Sequence, residues 1–271
     1  MTQQMPCKTR ARAMEILTCH LQRIGRDHAD VVQAVVLTGS LVTGSYTGDA
    51  GSDIDLIHVL RSDAPQGARQ AVMDSIACTE QETGRDLPIS RCVYRLQELY
   101  PPYPVDFALC PENKDYIELP VELLRMKDAA RVVWGELDLQ QIPAPTRENL
   151  IAYQELSARW VRQMTDAGVP LPPRDHLPLR LMVQSVLVHA LLDVFYATGR
   201  SCSSKAEVAG RLREEVPAYA FLPLVEACTR WRYAPRAFTA ADEQLIHAIW
   251  PRWEEARRQL PPGGVPMLTA V

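Results

Sequence analysis

Two aspartates one residue apart, Asp53 and Asp55, open the apolar run "DIDLIHVL". Residues two apart in an extended strand project to the same side, so both carboxylates leave one face at the strand's start. Carboxylates about 5–7 Å apart repel each other. Burying such a pair without a cation is costly. A hard divalent cation removes the conflict, and Mg²⁺ takes few carboxylates while sharing its shell with phosphate oxygens and water. Upstream, the β-branched run "VVQAVVL", 31–37, leads into the pair Gly39 and Ser40, with a second pair at Gly44 and Ser45. A glycine after a buried strand lets backbone N–H groups approach an anion, and a serine hydroxyl adds a donor. A helix start behind the turn adds a partial positive end. Taken singly, the aspartates read as solvated turn residues and the Gly-Ser pair as a plain turn. Taken together, they point to a nucleoside triphosphate held between a turn and a metal pair.

These residues need elements to hold them. Apolar residues at helical spacing predict a helix over 8–25, and the β-branched composition of 31–37 predicts a strand. A second strand is expected over 53–60, a helix over 66–82, and strands over 89–99, 104–110 and 131–135, with a helix over 120–128 before the last. After the proline-bearing turn "LQQIPAPTREN", 139–149, the pattern is helical only, over about 147–167, 177–198, 204–214, 219–232 and 240–259. Strands with a few helices followed by helices alone predict an α+β lobe plus an all-helical lobe. The boundaries expected are 1–140, 146–260 and a flexible tail, 261–271.

The chain has 271 residues, a net charge of −4 and no lysine-arginine block, which argues against a nucleic-acid footprint. Its seven cysteines are widely spaced without a C-x-x-C, so free thiols in a reducing compartment are expected. "MTQQMPCKTRAR" has no apolar core of the signal-peptide kind. The segment "LMVQSVLVHALLDVF", 181–195, reads as a buried helix too short to span a bilayer. These features predict a cytoplasmic protein with no membrane role. His58 falls on the strand face opposite Asp53 and Asp55, and it and His189 read as core histidines.

The run "TGSLVTGSYTGDAGSDIDLI", 38–57, resembles the signature of the DNA polymerase β-like nucleotidyltransferase superfamily: an apolar strand, a Gly-Ser or Gly-Gly pair, a spacer, then Asp-apolar-Asp. Twelve residues separate Ser40 from Asp53, which fits that spacer, whereas only seven separate Ser45 from Asp53. The resemblance therefore assigns Gly39 and Ser40 to phosphate and matches Ser52 to the serine that precedes the first aspartate. Thr38 and Thr43 depart from the aromatic residue and the arginine found in many members. The superfamily uses a third carboxylate in an apolar-acid-apolar strand, which "PVDFALC" supplies as Asp106.

A second stretch, "VFYATGRSCSSKAEVAGRLREEVP", 194–217, is similar to the helical lobe of bacterial aminoglycoside adenylyltransferases of the streptomycin/spectinomycin type. There a lysine opening a helix reaches the triphosphate, and Lys205 matches it. "RVVWGE", 131–136, resembles the strand that closes their catalytic lobe, and Asp193 stands where they carry an arginine. The resemblance implies two Mg²⁺ ions on Asp53, Asp55 and Asp106, and ATP as the nucleotide. It further implies Gly39, Ser40, Ser52 and Lys205 on the phosphates, and a small-molecule acceptor for AMP. Asp106 would take the acceptor proton or position the hydroxyl. Acidic residues such as Asp193 and Glu155 would suit a polyamine acceptor. A nucleotidyltransferase modifying a protein partner, as in toxin-antitoxin pairs, and a non-catalytic nucleotide-binding regulator remain alternatives. A glycosyltransferase using Asp-x-Asp with Mn²⁺ would leave the Gly-Ser spacing unexplained.

Overall fold

The structure, a computed structural model, describes residues 9–48, 53–84, 87–103, 119–166 and 179–268. The chain divides into two compact units, Met1–Pro145 and Thr146–Val271.

The first unit begins with helix α1 (Arg10–Asp27), whose Thr9 cap accepts the Arg12 N–H at 3.1 Å. Strand β1 (Val32–Leu37) follows, then a single-turn helix α2 (Gly39–Thr43) and strand β2 (Leu56–Leu60). Helix α3 (Ala68–Glu82) leads to strand β3 (Cys92–Arg95), helix α4 (Leu119–Ala129) and strand β4 (Arg131–Gly135). The sheet order is β3-β2-β1-β4, with β2 and β3 parallel and the other neighbours antiparallel. This is a mixed sheet in an α+β fold.

Alternation along the strands sorts two cores. Val35, Leu37, Leu56 and Leu60 pack with Ile16 and Leu17 of α1 and Val72 and Ile76 of α3. Ala34, Val36, Ile57 and Val59 pack on the other face with Leu123 and Met126 of α4. Covered on both faces, β2 is buried throughout.

The expected strand over 89–99 is shorter. It ends at Arg95, and a 3₁₀ turn (Leu96–Leu99) follows because the Glu98 carboxylate folds back to accept the Arg95 N–H at 2.7 Å. The expected strand over 104–110 lies outside the described residues.

The second unit, among its described residues, is helical: α5 (Arg147–Asp166), α6 (Leu179–Thr198), α7 (Val208–Glu215), α8 (Leu222–Tyr233) and α9 (Ala240–Gln259). Helix α6 packs against α7 and α8. The expectation from segment length is corrected here. At 20 residues α6 is long and apolar enough to cross a membrane by length and composition. Its buried residues include Val183, Val186, Leu187, Ala190, Leu191 and Val194, so the apolarity serves the core of this unit.

The expectation of a flexible tail is also corrected for 261–268. Gly263 accepts from Arg147 Nη2 at 3.1 Å, the Ala220 N–H donates to the Pro266 carbonyl at 2.9 Å, and Leu268 N–H donates to Ala218 at 2.8 Å. Met267 pairs with Tyr219 as an antiparallel bridge. A left-handed backbone at Gly263 (φ 73°) makes the turn that returns the chain to α5, where a Cβ would press on Ile151 Cδ1 at 2.8 Å.

Candidate active site

Asp53 and Asp55 flank Ile54, which is buried and forms an isolated parallel bridge with Ile89. Ile54 N–H donates to the Pro88 carbonyl at 2.9 Å and its carbonyl accepts from Ser90 N–H at 3.0 Å. The segment is therefore extended and anchored just before β2. Ile54 and Leu56 enter the core under α1 and α3, which leaves the two half-buried aspartates on the opposite side of the chain.

Gly39 opens α2 directly after β1, at φ 66°. A Cβ at this position would overlap the Asp55 carboxylate and fall 2.6 Å from its Cγ. The Thr38 N–H donates to the Asp55 carbonyl at 2.9 Å. The first Gly-Ser pair and the second aspartate of the Asp-x-Asp segment thus meet. Ser40 is half-buried at the first turn of α2. The second pair behaves differently: Gly44 closes α2 in a left-handed conformation, and the Ser45 hydroxyl bonds that of Thr43 at 2.7 Å.

Ser52 and Asp106 lie outside the described residues. Among the described residues no group of three or more His, Cys, Asp or Glu is gathered in a metal-holding arrangement. The donor set fits a hard cation that carries phosphate: two half-buried carboxylates two residues apart, one of them seated where a side chain at Gly39 would stand.

Ser90 escaped the sequence reading. Its hydroxyl accepts the Leu56 N–H at 2.7 Å and donates to the Leu56 carbonyl at 2.7 Å. A serine near a strand start carries no signal of this kind, because the bond joins residues 34 apart.

His58 and His20 form a buried pair behind the site, with Nε2 atoms 2.7 Å apart. His58 Nδ1 lies 3.2 Å from the Cys92 carbonyl, and His20 Nδ1 lies 3.2 Å from the Thr79 hydroxyl. Burial pushes the His58 imidazole down to about 4 and, with the neighbouring His58, pushes His20 down to about 2. Both rings are neutral core groups, with no reach to Asp53 or Asp55 from the opposite face.

In the second unit Lys205 lies in the turn before α7, half-buried, rather than opening the helix. The turn is held by Glu207, whose carboxylate accepts from the Ser203 hydroxyl at 2.7 Å and the Ser204 N–H at 2.8 Å. Among the described residues Lys205 has no ion-pair partner. Asp193 is not an acceptor-facing acid, which corrects the expectation from its charge. It is wholly buried, paired to Arg257 Nη1 at 2.8 Å and bonded by the Tyr219 hydroxyl at 2.7 Å. Burial raises its carboxyl above the ordinary value, and Arg257 and Tyr219 draw it back. His189 donates from Nδ1 to the Ser185 carbonyl at 2.8 Å and stacks edge-on against Trp253. Glu155 is exposed on α5.

The mixed sheet, the glycine turn against an Asp-x-Asp segment and the helical second unit make an α+β fold. Among solved structures the chain is similar to the spectinomycin adenyltransferase AAD(9) from Enterococcus faecialis, determined with ATP and spectinomycin. The likeness covers 89% of this chain and 96% of that one, at 14% sequence identity and a TM-score of 0.50. At that identity the likeness is one of fold. No family model matches the chain, and no curated protein matches it.

Proposed function

We propose that the chain is an Mg²⁺-dependent adenylyltransferase that transfers AMP from ATP to a hydroxyl of a small polycationic molecule of the aminoglycoside class. The observation that carries this reading is the contact of the Asp55 carboxylate with the Gly39 turn. It sets Gly39 beside Asp55, in a fold similar to that of an adenyltransferase determined with ATP and spectinomycin.

Asp53 and Asp55 would hold the divalent cations, with Asp106 as third carboxylate. When bound, these cations would neutralise triphosphate charge and favour ionisation of the acceptor hydroxyl. Gly39, Ser40 and Ser52 would contact the β- and γ-phosphates. Lys205 would add a positive charge to the same group. The acceptor oxygen forms a bond to the α-phosphorus, the bond from that phosphorus to the bridging oxygen breaks, and pyrophosphate leaves. Asp106 would take the acceptor proton or position the hydroxyl.

Incubation with labelled ATP, Mg²⁺ and an aminoglycoside panel including spectinomycin and streptomycin tests the reading. The expected result is an AMP adduct of at least one member, read by mass spectrometry. Mg-ATP binding without any adduct would remove the acceptor assignment. Loss of both would remove the nucleotidyltransferase reading.

A further inference from the structure

Ser90 occupies an unusual place in the β2–β3 ladder. The bridge pairs Ile54 with Ile89 and the strands pair Ile57 with Cys92, so the parallel register is the same on both sides of residue 90. At that register the Leu56 N–H would bond the Ser90 carbonyl. It bonds the Ser90 hydroxyl instead, at 2.7 Å.

The Leu56 N–H and the Asp55 carbonyl belong to one peptide group. The Thr38 N–H, at the end of β1, holds its oxygen at 2.9 Å, and the Ser90 hydroxyl holds its nitrogen at 2.7 Å. The peptide that carries the Asp55 side chain into the site is gripped from both neighbouring segments. The Ser90 segment is itself anchored, because the Ile89 N–H donates to Glu80 Oε1 of α3 at 2.8 Å. On the far side, the Asp55 carboxylate fills the space that a Cβ at Gly39 would take.

We propose that Ser90 is a positioning residue: its hydroxyl locks the Asp55–Leu56 peptide and thereby sets the direction of the Asp55 carboxylate for the divalent cation that accompanies the nucleotide. The inference rests on the adenylyltransferase reading above. The Ser90 hydroxyl is taken up by the Leu56 N–H and carbonyl. It acts through the backbone, so a hydroxyl at this position matters and side-chain volume does not.

The test compares Ser90→Thr with Ser90→Val, which have the same shape and differ in the hydroxyl, beside Ser90→Ala. Mn²⁺ binding in the presence of a non-hydrolysable ATP analogue is read by electron paramagnetic resonance, and folding by circular dichroism and thermal melting. For the folded proteins, Ser90→Val and Ser90→Ala should weaken Mn²⁺ binding about tenfold, as loss of a group that orients a metal ligand does, with Ser90→Thr close to wild type. Equal Mn²⁺ affinity in the Thr and Val proteins overturns the inference and leaves the function standing. Absence of nucleotide-dependent Mn²⁺ binding in the wild type overturns both. If Ser90→Val does not fold, Ser90→Ala against Ser90→Thr decides by the same criterion. If neither hydroxyl-free variant folds while Ser90→Thr does and binds normally, the hydroxyl serves the fold as a whole and the positioning role is overturned.

Discussion

The carboxylate of Asp55 occupies the space that a side chain at Gly39 would need. The two residues come from different segments, one after β1 and one before β2, and the Thr38-to-Asp55 backbone bond joins the segments at the same point. The glycine serves two purposes here, a left-handed backbone and room for an acid.

Gly39→Ala and Gly44→Ala should separate these purposes. Both glycines have positive φ, 66° and 79°, so each alanine incurs a backbone cost of about 1–2 kcal/mol. A Cβ at Gly44 meets nothing within 4 Å, whereas one at Gly39 displaces Asp55. Thermal melts should show comparable losses from the backbone, with a further loss at position 39. Nucleotidyl transfer should collapse only in Gly39→Ala. Equal activity in the two variants would show that the Asp55 position is not coupled to the turn.

Asp53→Asn and Asp55→Asn keep shape and remove charge. Each is expected to lower metal-dependent turnover on the order of a hundredfold or more, the scale of several kcal/mol of charge stabilisation. Circular dichroism should be unchanged. Near-wild-type turnover in Asp53→Asn would refute its place as a ligand. Ser45→Ala, by contrast, should cost much less than Ser40→Ala in the same assay.

The buried pair Asp193–Arg257 predicts a stability phenotype. Arg257→Met leaves an unpaired carboxylate at a wholly buried position and should cost about 3–5 kcal/mol in denaturant titrations at neutral pH. Burial raises the folded-state pKa of this acid, and removing Arg257 raises it further. The folded state of the variant then binds a proton more readily than the unfolded chain, so its deficit should shrink as pH falls. Adding Asp193→Asn should recover part of the loss.

The histidine pair behind the sheet carries the opposite sign. His58 is lowered to about 4 and His20 to about 2, against 6.5 for an ordinary histidine. Below 6.5 the unfolded chain takes protons that the folded chain refuses. The stability contributed by the neutral pair is complete above 6.5, declines as pH falls toward 4, and is exhausted only near 2. A double variant, His20→Phe with His58→Leu, should flatten the dependence of unfolding free energy on pH between 6.5 and 4 by close to two protons. An unchanged slope would mean that the pair is not neutral in the folded state.

Local pattern carried much of this protein. The β-branched run at 31–37 became β1, the apolar run after Asp55 became β2, and "RVVWG" became β4 at its expected bounds. Alternation alone put Asp53 and Asp55 on one side and His58 on the other. It failed where a side chain overrode the backbone's preference. Glu98 ended β3 early, Glu207 unwound the residues around Lys205, and Arg147 with Gln154 captured the tail at Gly263. The charge of Asp193 suggests an acceptor-facing acid because its partner, Arg257, is 64 residues away on another helix.

By itself the sequence determined the element types, the carboxylate pair and the spacing that distinguishes Gly39 and Ser40 from Gly44 and Ser45. These properties depend on residues within one or two turns or strands, where periodicity and backbone preference decide. Only the tertiary structure decided that Asp55 rests on Gly39, that Ser90 grips the following peptide, and that Asp193 is spent on an internal ion pair. Each of those depends on distances between residues far apart in the chain, which packing sets and no local pattern records.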